Sequence, residues 1–82
     1  MSAPQGFDVI PGREWMAGYR ATATDGTVVE IVRVDSCPDL WAVFVEPPTG
    51  PKGPYSAPYR VSQSEARHFG RQVLAEHGGP NR

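Results

Sequence analysis

The chain has 82 residues, enough for one small domain, and its 39% apolar, 10% aromatic and 21% charged side chains are lean but sufficient for a core. Nine Gly and nine Pro without a triplet period, a single Cys and no long apolar run exclude a collagen, a coiled coil, a disulfide scaffold and a membrane-spanning helix. A net charge of −1 with a pI near 6.0 argues against a sequence-independent nucleic-acid binder, which needs a basic excess to displace counterions.

Residues 1–13 hold Pro4, Gly6, Pro11 and Gly12 among few apolar anchors (Phe7, Val9, Ile10) and read as a flexible N-terminal arm. A single domain over 14–78 and a short tail over 79–82 follow. The first residues carry neither a basic nor an apolar segment, so no secretion leader is expected, and the lone Cys37 fits a reducing cytoplasm.

From 14 to 24, Trp15, Ala17, Tyr19, Ala21 and Ala23 alternate with Arg20, Thr22 and Thr24, the period of a half-buried strand. Asp25-Gly26 predicts a two-residue hairpin turn, because both residues tolerate positive φ. That turn pairs Thr24 with Thr27, Ala21 with Glu30 and Tyr19 with Val32. Tyr19, Val28 and Val32 then share one face, and Arg20, Thr22, Val29 and Ile31 share the other. Pro38 interrupts a turn over 35–39, and 40–46, rich in aromatic and β-branched residues, reads as a third antiparallel strand.

Five prolines and two glycines crowd residues 47–58, where no helix or central strand is expected and the backbone is not expected to join a ladder. Pro48, Pro51 and Pro54 recur at the spacing of a polyproline II helix. Tyr59, Arg60 and Val61 supply a short fourth edge strand. Ser62 and Glu65 form a capping box, and the helix runs over 63–77 with Ala66, Phe69, Gly70, Val73, Leu74 and His77 on one face, until Gly78-Gly79-Pro80 stops it. The reading is an α+β domain: a three-stranded antiparallel meander packed against one C-terminal amphipathic helix. Val32, Phe69, Val73 and Leu74 are the expected core.

Few residues carry chemistry. His68 and His77 lie nine apart, on opposite sides of a helix, so they cannot share an ion, and Glu65-Ala-Arg-His68 lacks partner carboxylates. Asp35 and Asp39 flank Cys37 and disfavour a thiolate. No catalytic residue, cofactor or metal is expected, and the chain does not read as an enzyme. Two features remain. One is a basic helix stripe, Arg67 and Arg71 at i,i+4 with His68 beside them and Arg60 just before, where an anionic partner would relieve like-charge repulsion. The other is the loop bearing Lys52, Tyr55 and Tyr59, whose rings suit stacking. The strands followed by Tyr59-Arg60-Val61-Ser62 and Ser64-Glu65-Ala66-Arg67 resemble, over residues 15–77 and in outline, the arm-binding domains of tyrosine integrases. That resemblance implies a three-stranded sheet laid in a DNA groove; the acidic sheet region departs from it.

One helix covers one face of a sheet, so the other face is either left with apolar residues suited to contact or covered by the N-terminal arm, through Phe7, Val9 and Ile10, or by the proline-rich loop. The expectation is therefore a non-enzymatic protein-interaction module, such as a regulator or inhibitor, with a protein partner on the free face and the loop. A homodimer through that face is the related expectation. The alternative is a nucleic-acid-binding accessory protein using Lys52, Arg60, Arg67 and Arg71. Charge weighs against it: residues 1–46 set seven carboxylates against three arginines, a balance of −4, whereas 47–82 carry +3. No membrane partner is expected. Seven arginines to one lysine suggest a GC-rich coding sequence of the kind found in actinobacteria and their phages.

Overall fold

A computed structural model describes residues 4–10, 18–33, 40–54 and 61–81. The period-2 segments form β2 (Gly18–Thr22), β3 (Val28–Arg33) and β4 (Trp41–Glu46), the meander read from the sequence. Two-residue strands, β1 (Asp8–Val9) and β5 (Gly53–Pro54), extend it at either edge into a five-stranded antiparallel sheet of order β1-β2-β3-β4-β5. Helix α1 (Gln63–Glu76) packs on one face, completing an α+β fold.

The edges correct two expectations. Within the segment read as an arm, Asp8 and Val9 pair with Arg20 and Tyr19, and Phe7 and Ile10 are buried. The proline-rich loop does join a ladder: Gly53 and Pro54 pair with Val45 and Phe44. An edge is where a sheet tolerates proline. Val61 exchanges two backbone hydrogen bonds with Trp41, at 2.7 and 2.8 Å, an isolated bridge at the place where a short edge strand before the helix is expected. Tyr59 and Arg60 lie outside the described residues.

The hairpin between β2 and β3 is offset by one residue from the sequence reading. Tyr19 pairs with Ile31, Arg20 with Glu30 and Ala21 with Val29. Gly26 N–H donates to the Ala23 carbonyl at 3.0 Å, Ala23 N–H to that of Thr27 at 2.7 Å, and Gly26 sits at φ 94°. This is a three-residue loop closed by a glycine bulge in place of a two-residue turn. Asp25 favours it, because its carboxylate accepts the Thr27 N–H at 2.8 Å.

The offset decides which residues enter the core, since a one-residue slip exchanges the two faces of a strand. Tyr19, Ala21, Ala23, Val29, Ile31, Trp41 and Val43 are buried beneath the helix residues Ala66, Val73 and Leu74. Val32, expected in the core, is only partly buried and shares the opposite face with Arg20 and Glu30; Phe69 is partly buried against the cluster. Gly70 permits the close approach of helix to sheet, for a Cβ there would lie 2.5 Å from Ile31 Cδ1.

The capping box forms as read, with Glu65 N–H donating to Ser62 Oγ at 3.2 Å and Ser62 N–H to Glu65 Oε1 at 3.4 Å. At the other end Gly79 N–H donates to the Leu74 carbonyl and Gly78 N–H to that of Ala75, both glycines at positive φ. The chain then returns to the sheet. Thr24 N–H bonds the Gly79 carbonyl at 2.9 Å and Asn81 N–H that of Thr22 at 2.8 Å, so 79–81 run beside the end of β2 and are tied to it.

Candidate functional site

The face not covered by α1 carries Arg20 and Thr22 from β2, Val28, Glu30 and Val32 from β3, and Ala42, Phe44 and Glu46 from β4. Cross-strand pairing sets Arg20, Glu30, Phe44 and Pro54 in one row. Glu30 lies at its centre with a side chain only 8% exposed. Arg20 reaches Oε2 through Nε and Nη2, each at 3.0 Å, and Lys52 Nζ reaches Oε1 at 2.6 Å. Burial works against ionisation of this carboxyl, but hydrogen bonds and charge from Lys52 and Arg20 outweigh it and hold the pKa below the usual glutamate range. Val28, Val32 and Phe44 surround the triad, each partly exposed.

Lys52 is therefore committed to Glu30 and ties the proline-rich loop to the sheet. Its place also divides the expected basic cluster, because Arg67 and Arg71 stand on α1, across the sheet from it. The stripe on the helix is uneven as well. The Arg67 guanidinium lies 5.6 Å from the centroid of the Tyr19 ring, which itself stacks parallel to Trp41 at 6.1 Å, so this cation covers the rim of the core. His68 contacts the Phe69 ring at 5.8 Å. Arg71 is exposed and, among the described residues, takes no part in the ion pairs or ring stacking of its neighbours. Tyr55, Tyr59 and Arg60, the other candidate binding residues, lie outside the described residues, as does Cys37.

Two arrangements escaped the sequence reading. At the hairpin tip His77 Nδ1 lies 2.6 Å from Asp25 Oδ2 and 3.3 Å from Thr27 Oγ1, and the Thr24 hydroxyl donates to the carbonyls of Gly78 and Gly79 at 3.0 and 3.1 Å. Hydrogen bonds from Thr27 and then from His77 hold the Asp25 carboxyl down at about 2. The helix end is thus latched to the β2–β3 loop, whereas helical spacing alone places His77 on the apolar helix face. A groove of about 210 Å³ also runs between the helix end and the two chain ends, lined by Gln5, Arg71, Leu74, Ala75, Gly79 and Pro80. Only the return of 79–81 to the sheet assembles it, and no local motif announces that.

Among the described residues no three His, Cys, Asp or Glu side chains converge as metal ligands, and no helix is long and apolar enough to cross a membrane. Comparison of the chain with family models, curated proteins and solved structures gives no match.

Proposed function

We propose that the chain is a non-enzymatic protein-interaction module, of the kind used as a small regulator or inhibitor, which meets its partner with the sheet face opposite α1 and the adjoining β4–β5 segment. The observation that supports this reading is the composition of that face: Val28, Val32 and Phe44 partly exposed around a glutamate whose charge Arg20 and Lys52 already counter. Such a surface presents apolar area around a carboxylate that is neutralised within the face, which suits a protein contact. A nucleic-acid partner would have to draw Lys52 away from Glu30 and would find Arg67 and Arg71 on the other side of the sheet.

The test is capture of partners from nuclease-treated lysate by the tagged chain, compared with Val28→Glu and Val32→Glu variants whose unfolding midpoints are checked first. Retention that survives added salt and is lost in these variants supports the proposal. Saturable binding of a defined DNA duplex or RNA by the purified chain, lost in Arg67→Glu with Arg71→Glu and falling with a log–log salt slope of about −0.9 per phosphate, would transfer the function to nucleic-acid binding.

A further inference from the structure

We propose that the groove between the helix end and the chain ends binds the free C-terminus of a peptide whose last residue is aliphatic. Its floor is Leu74, buried in the core cluster, and its walls are Ala75, Gly79 and Pro80, with Gln5 and Arg71 as the polar side chains. A volume of about 210 Å³ is below the roughly 300–1,000 Å³ of sites that enclose drug-sized ligands, and matches one residue.

The polar groups decide what that residue brings. Backbone donors at the helix end are already used, Gly78 N–H on Ala75 and Gly79 N–H on Leu74, and Pro80 has no N–H. Among the described lining residues, the side-chain donors that face a ligand are the Arg71 guanidinium and the Gln5 amide. Guanidinium grips a planar carboxylate through two parallel N–H groups, and the apolar lining beside it favours the carboxylate of an aliphatic residue over a fully charged phosphate. In a C-terminal leucine or valine the carboxylate and the aliphatic side chain leave the same Cα, so one residue fills the hollow and reaches the cation together. An internal aspartate or glutamate supplies the charge without the aliphatic group beside it. The groove is also built before the ligand arrives. Thr24 holds Gly78 and Gly79, Asn81 is bonded to Thr22, and Gly6 is packed so near Pro80 that a Cβ there would lie 3.1 Å from its ring. Preorganisation lowers the cost of ordering on binding. This site is separate from the sheet face opposite α1 and stands or falls without it.

The experiment is an NMR titration of the ¹⁵N-labelled chain with N-acetyl-glycyl-leucine, its C-terminal amide, and N-acetyl-aspartyl-glycinamide. The free acid should give saturable shifts at the Gln5, Ala75 and Gly79 amides. The amide probe should bind at least about tenfold more weakly, and Arg71→Gln should impose a comparable loss on the free acid without moving the unfolding midpoint. Equal binding of acid and amide, free-acid binding unchanged in Arg71→Gln, absence of saturable shifts at these amides, or an aspartyl probe that matches the free acid would each overturn the assignment.

Discussion

Replacing Gly70 by alanine sets two effects of opposite sign against each other. In a helix interior alanine is more favourable than glycine by about 1 kcal/mol, so α1 taken alone would gain. In the folded chain the added Cβ would meet Ile31 Cδ1 at 2.5 Å and Cγ1 at 2.8 Å, with Phe7 Cζ at 3.4 Å on another side. Ile31 cannot move aside cheaply, because it is fully buried in the central strand with Tyr19 and Val43 paired on either side of it. Overpacking of this kind costs about 1–3 kcal/mol, and two contacts under 3.0 Å place it at the upper end. The expected net loss is about 2 kcal/mol, a fall in Tm of roughly 8–16 °C for a chain of this size. Circular dichroism during thermal and urea unfolding measures it. Ile31→Val removes the nearer atom, so the double variant should be less destabilised than the sum of the two single variants. A midpoint that rises in Gly70→Ala would refute the close approach of helix to sheet.

Leu74→Ala, which empties the point where helix, sheet and Gly6 meet, should cost about 2–5 kcal/mol by urea denaturation, and the same change at exposed Arg71 should cost little. Glu30→Gln should destabilise by less than the roughly 3–5 kcal/mol of a fully buried pair, since Arg20 and Lys52 both reach solvent. The folded Glu30 carboxyl titrates below its ordinary 4.5, so its contribution is present above that pH and is lost as pH falls through the lower folded value; the variant should lack that part of the acid transition in a pH-dependent denaturation series. Asp25 follows the same sign, with stability lost between about 4 and 2, and Asp25→Asn should flatten the midpoint across that window.

Local signals made the helix legible. The Ser62–Glu65 box, the 3.6-residue spacing of Ala66, Gly70, Val73 and Leu74, and the Gly78-Gly79 stop all act within a few residues, and the structure places them as read. The three central strands were legible for the same reason, through alternation along each segment. Alternation cannot say which partner a strand faces. A two-residue and a three-residue turn at Asp25-Gly26 are both compatible with the chain, yet they expose opposite sets of valines. Tertiary contact decides between them: Val29 and Ile31 are buried beneath α1, Gly70 leaves room for Ile31, and the tip residues Thr24, Asp25 and Thr27 engage the helix end. Distance along the chain hides the rest. Lys52 meets Glu30 across 22 residues and the latch between Asp25 and His77 spans 52, so Lys52 is parted from Arg67 and Arg71 and the groove at the helix end is created. Propensity and spacing act between neighbours, whereas these contacts exist only once the sheet has fixed its register and the helix has docked on it.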